Sequence, residues 1–107
     1  MNISIDEFFE NHFKTISEGE VLLDVRGTDE FEESRIEGSK NIPHTLVNNH
    51  IDELNSYKKI YILCRRGARA QVAHQILSSK LDSGVNLICI SDGGTERWIS
   101  EGYPIQK

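Results

Sequence analysis

The sequence is short of cysteine, of long apolar runs and of positive charge, and each shortage excludes a class of protein. Its two cysteines, Cys64 and Cys89, are too few for a disulfide framework and do not form a C-x-x-C redox pair. The four histidines (His12, His44, His50, His74) lack metal-ligand spacing, so neither a metal site nor a cofactor is expected. The longest clearly apolar run, Ile60 to Cys64, is far too short to cross a bilayer. Lys and Arg number 12 against 17 Asp and Glu, a net charge of −5, which argues against a general nucleic-acid binder. The first residues carry no basic segment and no apolar stretch. No secretory signal and no membrane partner are therefore expected, and a cytoplasmic location is the default. Internal repeats and low-complexity stretches are also missing.

What remains is a chain of 107 residues, read as one domain over residues 1–107. Hydrophobic residues at 37% and charged residues at 27% suit a folded protein with one core.

Strand and helix signals alternate along it. Ile3 to Ile5 reads as a short strand, and Ser4 with Glu7 fits a capping box. Ile5, Phe8, Phe9 and Phe13 then recur at helical spacing, up to Gly19. Val21 to Val25 is a buried-strand candidate. Thr28 to Glu33 reads as a helix capped by Thr28, with acids in its first turn, broken by Gly38. Lys40 to Pro43 is extended, because a residue before proline is pushed toward β. Leu46 to Leu54 has helical character, and Lys59 to Leu63 is the strongest strand. A loop, 64–69, leads to a helix over 70–81 with Val72, Ala73, Ile76, Leu77 and Leu81 toward a core. After a turn at 82–84, Asn86 to Ile90 is another strand, 91–94 a loop and Thr95 to Ser100 a short helix. Such alternation implies an α/β fold with a mostly parallel sheet covered on both faces. Ligand sites in such sheets lie beyond the carboxyl ends of the strands.

Cys64 stands at such a place, at the end of the best strand and just before a helix. Turned-in N–H groups of a tight loop cradle an anion, and the free N–H groups of the helix start add partial positive charge. Arg65, Arg66 and Arg69 add full charges nearby. This setting favours the thiolate, the form of cysteine that attacks. Gly67 permits the backbone turn, and Ala68 and Ala70 keep the loop interior open. The plain alternative for the arginines is a solvated patch, with Arg69 the exception and Arg65 and Arg66 at a pocket rim. Cys89, inside Leu87 to Ile90, reads as a core residue. Asp24 and Arg26 end a strand at the same sheet edge; the plain reading pairs them with Asp29, Glu30 or Glu33 to fix a turn.

Four blocks in order resemble the single-domain rhodaneses, a family of sulfurtransferases. Val21 to Arg26 followed by Glu30 and Phe31 resembles "L-I-D-V-R … E-[FY]"; Arg35 to Pro43 resembles "G-H-I-x-G-A-x-N-I-P". Cys64 to Ala70 resembles the active-site segment "C-x-x-G-x-R-[SA]", and Gly93, Gly94, Trp98, Gly102 and Pro104 resemble the closing "G-G-x-x-x-W-x-x-x-G-x-P". The resemblance implies a rhodanese-like five-stranded, mostly parallel sheet with helices on both faces. It implies that Cys64 takes the outer sulfur of a donor such as thiosulfate, holds it as a persulfide and passes it to cyanide or to a thiol, a protein thiol included. The N–H groups from Arg65 to Ala70 form the cradle, Arg69 supports the loop charge, and Arg65 or Arg66 holds an anionic donor. Asp24 and Arg26 are supporting candidates. Arg35 departs from the family by replacing its frequent His.

Two other readings share this resemblance. A phosphatase of the cell-division-cycle kind has the same fold but needs five residues between its Cys and Arg; here Cys64 and Arg69 enclose four. A non-catalytic rhodanese-like module serves protein binding or sulfur sensing, but such modules commonly lack the cysteine.

Overall fold

The structure, a computed structural model, describes residues 1–107. Its elements are β1 (Asn2–Ser4), α1 (Ile5–Asn11), β2 (Glu20–Asp24), α2 (Thr28–Glu33), β3 (Arg35–Ile36) and β4 (Lys40–Asn41). They continue with α3 (Ile51–Leu54), β5 (Lys59–Leu63), α4 (Ala68–Lys80), β6 (Asn86–Asp92), α5 (Thr95–Ser100) and β7 (Ile105–Gln106). Single 3-10 segments lie over Phe13–Thr15 and His44–His50. Five strands form one parallel sheet in the order β1-β6-β5-β2-β4, as the α/β alternation predicts. No helix is long and apolar enough to cross a membrane.

The strand pattern divides the core between the two sheet faces, because successive side chains in a strand point to opposite sides. Val21, Leu23, Ile60, Ile62 and Cys89 pack with Val47 and with Ala70, Ala73 and Leu77 of α4. Leu22, Tyr61, Leu63, Ile88 and Ile90 pack on the other face with Phe8 of α1 and Trp98 of α5. Phe9 and Phe13 cover that second cluster, so the helical spacing read from Ile5 to Phe13 marks a real apolar face.

Several local expectations need correction. Ser4 does cap α1, its Oγ accepting from the Glu7 N–H at 3.0 Å. The Glu7 carboxylate does not return the bond; it lies 4.0 Å from His12 Nε2. The N-cap of α2 is Gly27, not Thr28, and its N–H donates to the Glu30 carboxylate at 3.3 Å. That helix ends at Glu33, and Gly38, at φ +82, turns the chain between β3 and β4 instead. The helical segment expected over 46–54 is mostly a 3-10 coil, with α3 only at its end. Helix α4 begins two residues earlier than expected, at Ala68. Val72 is 45% exposed, because the buried stripe of α4 runs through Ala70, Ala73 and Leu77. The antiparallel pair of β3 with β7 carries no sequence signal at two residues per strand.

Candidate active site

The carboxyl ends of β2 and β5 lie side by side, with Asp24 paired to Leu63. The chain leaves β2 toward β4 on one side and leaves β5 toward β6 on the other, so a crevice opens between them. Cys64 follows Leu63 directly into this crevice, and Val25 N–H donates to Leu63 O at 2.8 Å to hold the two chain ends together.

The loop after Cys64 has its shape from two glycines. Gly67 takes φ +120, and a Cβ there would stand 2.3 Å from the Ser91 carbonyl oxygen. A Cβ on Gly94 would stand 2.2 Å from the Cys64 carbonyl oxygen. These close approaches let the start of α5 grip the loop: Thr95 N–H donates to Cys64 O at 3.0 Å and Glu96 N–H to Arg65 O at 3.2 Å. With the loop so held, Cys64 Sγ accepts from the Gly67 N–H at 3.0 Å and from the Ala70 N–H at 3.3 Å. The sulfur therefore sits at the N-terminus of a 13-residue helix, where free N–H groups carry partial positive charge. The expected cradle spanned Arg65 to Ala70; the bonds to sulfur come from Gly67 and Ala70. Ala68, Arg69 and Ala70 belong to the first turn of α4 rather than to a loop.

The arginines take separate partners. Arg69 Nη1 and Nη2 donate to Glu30 Oε1 and Oε2 at 2.6 and 3.0 Å. Those bonds to Arg69 first, and the Gly27 N–H after them, hold the Glu30 carboxyl well below its ordinary value, down to about 2. Arg65 and Arg66 share one carboxylate, that of Glu96, at 3.0 and 3.1 Å. Hydrogen bonding from Arg66 chiefly, then the charges of both arginines, holds the Glu96 carboxyl below the usual range. Arg65 and Arg66 are exposed, as expected of rim residues, but they are bound rather than simply solvated.

Asp24 and Arg26 pair with each other, not with Asp29, Glu30 or Glu33. Both are buried; Arg26 Nη2 lies 2.8 Å from Asp24 Oδ2 and donates to Ser34 O at 2.7 Å. Their sequence spacing favours this, because Asp24 Oδ1 also accepts from the Arg26 backbone N–H at 3.0 Å. The pair fixes the wall beside Cys64. An open cleft of about 300 Å³ lies on it, lined by Arg26, Glu30, Glu33, Arg65, Thr95 and Glu96 among others. Cys64 itself is 1% exposed. Cys89 is fully buried in the core on the α4 face, as expected, and burial chiefly pushes its thiol up to about 11. Glu96 was not singled out from the sequence. Its one local signal is its place in the first turn after the Gly93-Gly94 pair, and only the packing of α5 on the loop brings it to the arginines.

Comparisons with known proteins agree with this fold. The profile of the family described as "Rhodanese-like domain" matches residues 10–101. The chain is 38% identical to the "Adenylyltransferase and sulfurtransferase UBA4" of Meyerozyma guilliermondii over 89 residues, 76% of this chain and 20% of that protein. It is 36% identical to the "Putative sulfur carrier protein YrkF" of Bacillus subtilis over 59 residues, 55% of this chain and 32% of that protein. The chain thus spans a fifth to a third of the length of these relatives. Among solved structures, a rhodanese-related protein from Thermoplasma volcanium matches with a TM-score of 0.75 and 30% identity, over 98% of this chain and 96% of that one.

Proposed function

The chain belongs to the rhodanese-like family, and on that premise we propose that it is a sulfurtransferase whose nucleophile is Cys64. One observation carries the reading: Cys64 Sγ accepts two backbone N–H bonds at the N-terminus of α4. A core cysteine has no use for such donors, and a sulfur anion does.

The reaction balances without an outside oxidant. The Cys64 thiolate attacks the outer sulfur of a donor such as thiosulfate, and a new S–S bond forms. The donor's own S–S bond breaks, and sulfite leaves with its electron pair. The Cys64 persulfide then carries the negative charge on its terminal sulfur. An acceptor thiolate attacks that sulfur, takes it as its own persulfide and returns Cys64 to the thiolate. When the charge is on Cys64 Sγ, the Gly67 and Ala70 N–H groups are the donors that meet it. The backbone supplies them without reorganisation, which is how fixed dipoles favour a charged state over water. Arg69, paired with Glu30, holds the start of α4 in place. A protein thiol as acceptor is favoured by the likeness to a putative sulfur carrier. Cys64 must stay reduced between turnovers, which suits a reducing compartment such as the cytoplasm.

The test is intact mass after incubation with thiosulfate, before and after a thiol reductant. One added sulfur, removed by the reductant and absent in Cys64→Ser, supports the reading. No added sulfur with thiosulfate or with an organic persulfide donor overturns it.

A further inference from the structure

The mouth of the site carries a charge balance that bears on which donors it takes. Four arginines stand in or beside it: Arg26 and Arg65 line the cleft, and Arg66 and Arg69 are bonded to two carboxylates that line it, Glu96 and Glu30. Four carboxylates match them. Asp24 holds Arg26, Glu30 holds Arg69, Glu96 holds both Arg65 and Arg66, and Glu33 lines the same cleft. A dianionic donor entering the cleft therefore meets no surplus of positive charge. The arginines differ in how firmly they are kept. Arg26 is buried with its partner, and Arg69 is held by two short bonds across two helices. Arg65 and Arg66 are 56% and 71% exposed and belong to the loop next to Cys64. They are the two guanidinium groups with the freedom to meet a ligand, and one side chain occupies them. Glu96 Oε1 accepts from Arg66 Nε at 3.1 Å; Glu96 Oε2 accepts from Arg65 Nε at 3.1 Å and from Arg66 Nη2 at 3.2 Å.

We propose that Glu96 is a donor-specificity residue: by occupying Arg65 and Arg66 it disfavours small dianionic donors relative to donors of lower charge. The proposal rests on the sulfurtransferase reading and narrows its substrate class to sulfane-sulfur donors of one negative charge or none at the reacting end, as in an organic or protein persulfide. Both the freed hydrogen bonds and the removed negative charge would act more strongly on a dianion than on a monoanion. The loop does not depend on the Glu96 carboxylate for its shape. The backbone N–H groups of Thr95 and Glu96 hold Cys64 O and Arg65 O, so neutralising the side chain leaves that grip in place.

The experiment compares wild type, Glu96→Gln and Glu96→Ala with two donors at fixed ionic strength. Thiosulfate is the dianion; benzenethiosulfonate is the monoanion, whose outer sulfur is transferred as benzenesulfinate leaves. Both variants are expected to lower KM for thiosulfate about two- to fivefold, the range of one exposed charge contact. KM for the monoanion should fall less, so the ratio of kcat/KM values moves toward thiosulfate. Adding Arg65→Gln and Arg66→Gln to Glu96→Gln should cancel the gain, which separates freed guanidinium groups from a general loosening of the loop. A second readout needs no turnover: sulfate, against chloride at matched ionic strength, should slow alkylation of Cys64 at lower concentration in the variants than in wild type. An unchanged donor ratio together with unchanged sulfate protection overturns the proposal. If wild type moves sulfur from neither donor, the sulfurtransferase reading fails, and sulfate protection alone decides whether Glu96 keeps anions from the mouth.

Discussion

The Arg69 guanidinium and the Glu30 carboxylate meet in two parallel hydrogen bonds, 2.6 and 3.0 Å long, that tie the first turn of α4 to α2. A bidentate pair of this kind fixes orientation as well as charge. The same carboxylate accepts the N–H of Gly27 at 3.3 Å, so it joins the helix that follows Cys64 to the turn that follows Arg26. Arg69 thus supports the site partly by aligning two walls of it.

This pair has a pH signature. The folded Glu30 carboxyl is lowered from an ordinary 4.5 to about 2, chiefly by its bonds to Arg69. A depressed acid stabilises the fold fully above its unfolded value and loses that contribution as pH falls through its folded one. Wild-type stability should therefore decline between pH 4.5 and about 2. Thermal unfolding across this window should show a shallower decline in Glu30→Gln and in Arg69→Met. Equal slopes in all three proteins would mean that the pair is open in solution.

Gly67→Ala and Gly94→Ala should each damage the loop. At Gly67 the added Cβ meets the Ser91 carbonyl at 2.3 Å in a backbone conformation that other residues rarely adopt. At Gly94 it meets the Cys64 carbonyl at 2.2 Å. At Gly67 the backbone strain alone costs about 1–3 kcal/mol before the clash is relieved, whereas at Gly94 the cost is the clash itself. A thermal midpoint lower by about 5 °C or more is expected for each. Transfer activity should fall further than stability at a temperature where the variants are still folded, because the N–H groups no longer point at sulfur. Wild-type activity in both would show that the loop shape is not what activates Cys64.

The two cysteines should separate in labelling. Burial pushes the Cys89 thiol up to about 11, so at neutral pH it is almost wholly protonated and enclosed. Peptide mapping after thiosulfate should find the added sulfur on the Cys64 peptide alone. Iodoacetamide at neutral pH should likewise leave Cys89 unlabelled in the folded protein. Cys89→Ser should keep the persulfide, whereas extra sulfur on the Cys89 peptide would move the nucleophile to the wrong strand.

Loop length should select sulfur over phosphate. Four residues separate Cys64 from Arg69, and the Ala70 N–H that follows reaches Sγ at 3.3 Å. An aryl phosphate should not be hydrolysed above background. One residue inserted before Arg69 would rotate the start of α4 and carry the Ala70 N–H away from the sulfur. Losing one hydrogen bond to a charged group costs about 1.5–3 kcal/mol. Sulfur transfer should then drop roughly ten- to hundredfold if that bond is spent on the transition state. Phosphatase activity in the unaltered protein would point to the other enzymatic reading of this fold.

Residue order alone made most of the elements and the candidate nucleophile legible. Period-two and period-3.6 patterns are local, so the strands Glu20–Asp24 and Lys59–Leu63 and the helix around Ala73 and Leu77 were legible, and with them the α/β class. The place of Cys64 between a buried strand and a helix was legible for the same reason. The partners of the charges were not. Arg69 finds Glu30 and the Arg65–Arg66 pair finds Glu96 across 39, 31 and 30 residues of chain, and no local pattern encodes such distances. They are decided by how α2 and α5 pack beside the carboxyl ends of β2 and β5. The same holds for the sulfur's donors: sequence put six N–H groups near Cys64, but Gly67 pressed against Ser91 and Gly94 against Cys64 O turn two of them onto Sγ. Long-range contact fixes those directions, because a backbone N–H aims where the chain around it is held.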